Sequence, residues 1–326
     1  MKQLRIRIPG KIIEIPYLVI KGKEKGRRCI LSGGMHGDEV NGIALVQRFL
    51  EYARKHKLEK ELKGEIVVFP ILNLSGFEKH VRQIAYDKKD LNRSFNRKDK
   101  TASNFMANSL ERHFYSKADI AIDCHDSGER NMLIPHTRVH KHESHLCTEC
   151  THQMARAFGS KIIVERKGKA GMLAVEMSRK HTLPVLTIEI GGALKVAHDF
   201  LHQGLEGIIN ILRQQDFFPG EVTYPRKQYY LHNRYGVPSK YTGLLKFNKK
   251  LGHRVHRGDK IGTIYVPEKA RQEDLTSPMC GLLFSIQHAD SIVAGETMYS
   301  ILEDKKCHTK RLRTARMFEE IKNIHM

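Results

Sequence analysis

From residue 12 to residue 215 the chain alternates two textures, and this alternation limits its fold more than any other feature. Short apolar, β-branched runs read as strands: "IIEIPYLVI", "RCILSGG", "GEIVVFPIL", "ADIAIDCHD", "KIIVER" and "LPVLTIEIGG". Between them lie segments whose apolar residues recur at helical spacing: "NGIALVQRFLEYARKH", "HLCTECTHQMARAF", "AGMLAVEMSRKH" and "AHDFLHQGLEGIINILRQQ". Strands that are apolar throughout are buried on both faces, so the alternation predicts an α/β domain with a largely parallel, doubly covered sheet.

After residue 217 the helical period stops, and short runs such as "GLLKFNK", "KIGTIYVP", "GLLFSIQ" and "ETMYSIL" are broken by glycine and proline. The expected organisation is an α/β domain over 1–217, a linker over 218–235, a β domain over 236–303 and a basic tail over 304–326. The phrases "HRVHRGDKIGTIY" and "DSIVAGETMYSI" resemble one another and point to two related hairpin layers in the β part.

Composition narrows the class. With 40% hydrophobic and 28% charged residues the chain is an ordinary globular one, and no stretch reaches 18 consecutive apolar residues. The N-terminus lacks a short hydrophobic core followed by a small-residue cleavage site, so a cytoplasmic location without membrane attachment is expected. Cysteines at 29, 124, 147, 150, 280 and 307 are scattered and are expected to be reduced. The formal charge of +20 would draw anions in a salt-dependent way. Because neither an RNA-binding aromatic signature nor zinc-finger spacing accompanies it, a solvated basic surface with no specific nucleic-acid partner is expected.

The stretch "SGGMHGDEVNG" places His36 and Glu39 three residues apart in a glycine-rich turn ahead of a helix. A phosphate-cradling loop would end Gly-Lys-Ser/Thr, whereas this one carries Asp38 and Glu39, so a divalent metal is the better occupant. His125, at the end of the strand "AIDCH", is the natural third ligand. Two histidines and one glutamate leave zinc an open position, the arrangement of hydrolytic rather than structural zinc. In "KKDLNRSF", Asp90, Asn92 and Arg93 share one polar loop, and Asn92 with Arg93 offers a donor fork for a carboxylate. Glu189 lies inside the apolar run "LTIEIGG", where a carboxylate is costly unless it is paired or used, and a general base would use it.

In this order, "HGDE", "DLNRSF", "IDCH" and "TIEIGG" resemble the succinylglutamate desuccinylase/aspartoacylase family of zinc hydrolases, a branch of the zinc carboxypeptidase superfamily, over residues 10–303. The resemblance implies a zinc carboxypeptidase-like doubly covered mixed sheet with a smaller, barrel-sandwich-like C-terminal β domain. It implies one zinc per chain on His36, Glu39 and His125, with Glu189 as base and proton shuttle and Asn92 and Arg93 on the substrate's carboxylate. It further implies that Asp90 fixes the ring of His36 and that an arginine shortly before "DLNR" polarises the scissile carbonyl, for which Arg82 is the candidate. Two departures from the family pattern, Cys124 in "DCH" and the absence of a proline in "LNLSGFEKH", touch no ligand.

The expected activity is deacylation of a small acidic N-acyl amino acid. The alternatives are a carboxypeptidase trimming acidic peptide ends and a non-catalytic basic binding protein, RNA included, on a hydrolase fold. A homo-oligomer is compatible with the chain. Cys147 and Cys150 form a lone CxxC near His142, His145 and His152, read as helix core rather than as a second metal or redox site. Asp123 and Asp126 either touch the metal site through His125 or cap the strand end, and Tyr265 and Tyr299 read as packing rather than as pocket residues.

Overall fold

The computed structural model describes residues 1–141, 144–192 and 195–303, so the expected tail over 304–326 and His142 lie outside the described residues. The chain divides into two compact units. The first comprises residues 1–128 and 135–229, and the second comprises 129–134 and the described residues from 230 onward.

The first unit contains β1 (Lys2–Ile8), β2 (Lys11–Lys21), β3 (Glu24–Gly33), α1 (Val40–Lys55), β4 (Lys63–Phe69), α2 (Leu74–Glu78), α3 (Ala102–His113) and β5 (Ile120–His125). After the short β6 (Asn131–Leu133), which belongs to the second unit, follow β7 (His136–His140), α4 (His145–Phe158), β8 (Ile162–Arg166), α5 (Leu173–His181), β9 (Val185–Glu189) and α6 (His198–Gln214). The sheet order is β1-β2-β4-β3-β5-β9-β7-β8, and β10 (Tyr229–Leu231) enters this sheet as a ninth strand through Tyr229, the last residue of the unit.

The middle of the sheet is parallel from β4 through β3 and β5 to β9, while β1, β2 and β7 introduce antiparallel pairs, so the sheet is mixed. Helices α1, α4 and α6 pack together over one face, and α3 and α5 supply Met106, Leu110, Leu173 and Met177 to the core on the other. The amphipathic pattern of α1 buries Leu45, Val46, Phe49, Leu50 and Ala53, as its spacing predicts. Where α1 meets β5 the approach is so close that a Cβ on Gly42 would run into the Cys124 carbonyl. That contact lies on the sheet face away from His125, so Cys124 is packing.

The second unit holds β11 (Arg234–Pro238), β12 (Gly243–Phe247), β13 (Arg254–Val255), β14 (Lys260–Val266), β15 (Arg271–Thr276), β16 (Gly281–Gln287), β17 (Ser291–Ile292) and β18 (Thr297–Glu303). Two sheets, β11-β18-β16-β13 and β15-β14-β12-β17, share a core that includes Leu245, Val255, Ile264, Leu283, Tyr299 and Ile301. The two similar phrases fold alike: each is a two-residue strand, a turn with a positive-φ glycine (Gly258, +87°; Gly295, +90°) and a seven-residue strand. The short strand of each copy pairs with the other half, β13 on β16 and β17 on β12, which binds the two layers into one body.

The two units are not separated at a single point of the sequence. Residues 131–133 pair with β16 and so join the second unit, and the expected linker 218–235 contains β10 and the start of β11. Both are pairings across long sequence separation, which local texture does not record. Tyr299 is buried, with its hydroxyl donating to the Thr276 carbonyl at 2.9 Å, whereas Tyr265 is exposed. Cys29, Cys124, Cys147 and Cys150 are free thiols, and Cys147 packs in α4 against Ser178 as a core residue. Cys280, against the expectation of reduced cysteines, is disulfide-bonded, because scattered spacing argues only against a framework of bridges and not against a single one.

Candidate metal centre and active site

The site lies where the central parallel strands end, the place at which an α/β sheet gathers ligand-binding groups. One sheet face is apolar at Ile30, Ala121 and Val185 and belongs to the core under α3 and α5. Two residues further along each strand the same face turns polar, at Ser32, Asp123 and Thr187, and beyond them at His125 and Glu189. The strand register sets these groups side by side: Ser32 opposite Asp123, Asp123 opposite Thr187, and His125 opposite Glu189. The chain leaving β3 then turns through residues 34–39, where Gly37 fits only because it has no Cβ, since one would collide with the backbone of Gly76 and Phe77.

His36, Glu39 and His125 offer ligand atoms that all lie within 4.8 Å of one another. All three residues are about 2% exposed. His36 Nδ1 lies 2.7 Å from Glu39 Oε1, and His125 Nδ1 lies 2.6 Å from Glu39 Oε2. The opposite ring nitrogens are each gripped by a carboxylate: His36 Nε2 by Asp90 Oδ1 at 3.0 Å and His125 Nε2 by Asp123 Oδ2 at 2.7 Å. Asp123 is itself fixed by the Ser32 hydroxyl at 2.7 Å. A carboxylate on Nε2 selects the tautomer that donates there, which turns the lone pair of Nδ1 toward the shared centre.

Electrostatics agrees with a cation at that centre. Burial works against a proton on His125, yet Asp123 and Glu39 raise its pKa well above the ordinary histidine value. His36 is likewise raised against the effect of burial, mainly by Glu39. Glu39, despite burial, is held well below the usual carboxylate range by the two imidazoles. The pocket therefore concentrates negative charge around a point on which two imidazoles and a carboxylate converge, and that donor set fits zinc.

Asp90 is a hub. Its Oδ1 also accepts from the Asn92 amide at 2.8 Å, while Oδ2 accepts from Arg82 Nε and Nη2, both at 3.2 Å. Though buried, Asp90 is pushed far below its ordinary pKa by His36, Arg82 and Arg93. Arg82 also donates through Nη1 to Glu39 Oε1 at 3.1 Å, so it lies against a ligand of the centre. Asn92 Oδ1 accepts from the Leu173 amide at the start of α5, at 2.8 Å, and the Asn92 Nδ2 donor has no partner among the described residues. Arg93 donates to the Asn92 carbonyl at 2.6 Å and makes no ion pair among the described residues. Burial first, and then the guanidinium groups of Arg82 and Arg138, lower its pKa against the pull of Asp90. A guanidinium with spare donors beside two others is a place where an incoming carboxylate is stabilised.

Arg138 escaped the sequence reading. It stands on β7, which pairs antiparallel with β9 so that His136 is opposite Glu189 and Arg138 opposite Thr187. Its Nη1 lies 2.5 Å from Glu189 Oε1. The segment "HTRVH" carries too few apolar residues to read as a strand. Nor does burial alternate along it: His136, Thr137, Val139 and His140 are all buried and only Arg138 is partly exposed, so no period of two marks it. The choice left open for the two aspartates is resolved by their partners. Asp123 holds His125, whereas Asp126 accepts from the Asn41 amide at 2.8 Å and from the Gly128 amide at 2.6 Å, capping the first turn of α1. Burial, with Glu39 nearby, pushes the Asp126 carboxyl up to about 7.

Residues 25–215 match the profile of the succinylglutamate desuccinylase/aspartoacylase catalytic domain. The N-α-acetyl-L-2,4-diaminobutyric acid deacetylase of Halomonas elongata is 26% identical over 300 residues, which cover 89% of this chain and 86% of that protein. Among solved structures, the product-bound ectoine utilization protein EutE (DoeB) of Ruegeria pomeroyi aligns with a TM-score of 0.83 at 23% identity, covering 93% of this chain and 94% of its own. A succinylglutamate desuccinylase of Silicibacter sp. TM1040 aligns with a TM-score of 0.82 at 22% identity, covering 92% and 93%. Both structural likenesses extend through the C-terminal β unit and bear on the fold.

Proposed function

Because the chain belongs to the succinylglutamate desuccinylase/aspartoacylase family, we propose that it uses one zinc ion to remove an acyl group from the amino nitrogen of a small, carboxylate-bearing amino acid. One observation carries the reading: the Nδ1 atoms of His36 and His125 converge on Glu39, with each ring clamped from behind by a carboxylate. When bound there, zinc supplies Lewis acidity at the amide carbonyl and acidifies water in its open position.

The chain's own residues do the rest. Glu189, buried and with Oε2 lacking a hydrogen-bond partner among the described residues, accepts the proton of the attacking water and returns it to the leaving amine. Arg82, held by Asp90, faces the charge that develops on the carbonyl oxygen. Arg93 and Nδ2 of Asn92 hold the substrate's carboxylate. The Halomonas relative, by its name, removes an acetyl group from an α-amino nitrogen, and an acetylated α-amino acid is accordingly the first substrate to try.

The test is amine release by the zinc-loaded protein from a panel of N-acyl amino acids, Nα-acetyl-L-2,4-diaminobutyrate and N-succinylglutamate among them, alongside acidic peptides. Release from N-acyl amino acids supports the reading. Release from peptide C-termini alone, or no turnover anywhere, overturns it.

A further inference from the structure

Among the described residues, Glu189 is held by one of its two oxygens only. Its Oε1 meets Arg138 Nη1 at 2.5 Å, while Oε2 is buried and has no hydrogen-bond partner among them. A carboxylate fixed in this way cannot swing about Cγ–Cδ without breaking its ion pair, so its free oxygen is presented in one direction. Arg138 is in turn fixed: its Nε donates to His136 Nε2 at 3.1 Å, and only 15% of its side chain is exposed. The strand register explains how it reaches. Arg138 is opposite Thr187 on antiparallel β9, and Glu189 is the diagonal neighbour two residues on, a span that a long side chain bridges. A guanidinium can serve both partners because Nε and Nη1 are separate donors in one rigid plane, whereas an ammonium presents a single point.

We infer that Arg138 is a positioning residue that anchors Glu189 by Oε1 and so presents Oε2 for proton transfer. This rests on the reading of Glu189 as the base. Arg138 then acts through Glu189 and not on the substrate, which separates it from Arg93. The distinction is measurable, because misplacing a base slows turnover while leaving substrate binding alone.

The experiment uses the full-length, zinc-loaded protein and the N-acyl amino acid of the panel above that is hydrolysed fastest. Arg138→Gln should lower kcat by roughly 10- to 100-fold, as loss of a residue that orients a catalytic group does, with KM and zinc content unchanged. Arg138→Lys, which keeps the buried cation but not the second donor to His136, should give an intermediate kcat. It carries the test if melting curves show that Arg138→Gln does not fold. In a Glu189→Gln background, Arg138→Gln should cause no further loss. A raised KM with normal kcat would make Arg138 a substrate clamp and overturn the inference. A full additional loss in the Glu189→Gln background, or wild-type kcat in folded Arg138→Gln, would also overturn it. If Glu189→Gln itself keeps normal turnover, the base assignment fails first. If Glu189→Gln is inactive while Arg138→Gln is normal, only the positioning role fails.

Discussion

Substituting Asp90 by asparagine should separate metal binding from turnover. The two oxygens of Asp90 serve two pairs of donors: Oδ1 takes His36 Nε2 and the Asn92 amide, and Oδ2 takes Arg82 Nε and Nη2. An asparagine has one accepting end, so one pair must face its NH2. His36 is 2% exposed and Arg82 is 37% exposed, and an unmet donor costs more where water cannot reach it. The amide oxygen should therefore turn to His36, and the loss should fall on Arg82. A charged hydrogen bond is worth about 1.5–3 kcal/mol, and the exposure of Arg82 argues for the lower end, so kcat/KM should fall by about 10-fold. Zinc affinity should move by less than about 10-fold in Asp90→Asn. In Asp90→Ala it should drop by about 10- to 100-fold, because the grip on His36 is lost altogether. Competition with a chromophoric chelator measures the first quantity and amine release the second. Equal zinc loss in the two variants, or unchanged turnover in Asp90→Asn, would refute the division of labour drawn from the four contacts.

Further outcomes follow from the same geometry. The purified protein should hold close to one zinc per chain, and metal analysis of the His36→Ala/His125→Ala double variant should find essentially none. Because Glu39 and Asp123 raise the pKa values of the two histidines despite burial, zinc must displace protons, and apparent affinity measured by chelator competition should fall as pH falls, by about 10-fold per pH unit for each proton displaced. An affinity flat from pH 8 to 6 would contradict this sign. Arg93→Lys should chiefly raise KM, and steady-state kinetics with an esterified substrate should show the normal enzyme losing about 1.5–3 kcal/mol of binding. Gly42→Ala should destabilise the fold by about 1–3 kcal/mol in denaturant titration, since its Cβ has no room beside the Cys124 carbonyl.

The sequence by itself determined whatever is written in neighbouring residues. The helices α1, α4, α5 and α6 and the apolar strands are legible because burial of one face imposes a local period. The i, i+3 pair of His36 and Glu39 is legible because a single turn carries both residues, and His125 and Glu189 are legible because a polar residue at the end of an apolar strand has few other reasons to be there. Helix α3 leaves a weak sequence signal because its serines and asparagines dilute the period, although Met106, Ala107 and Leu110 do face the core.

Only the tertiary structure decided which partners those groups have. Asp123 and Asp126 flank His125 with equal claim in sequence, and their roles diverge because one side chain shares the sheet face of His125 while the other turns back to the Asn41 amide. Strand β7 was illegible for the reason that makes it useful: its His136 and Arg138 face the polar end of the sheet, where burial is compensated by an ion pair from β9 instead of by apolar side chains. Arg138 and Glu189 are 51 positions apart in the chain. Their pairing depends on strand register, which is set by the packing of the whole sheet and leaves no local trace.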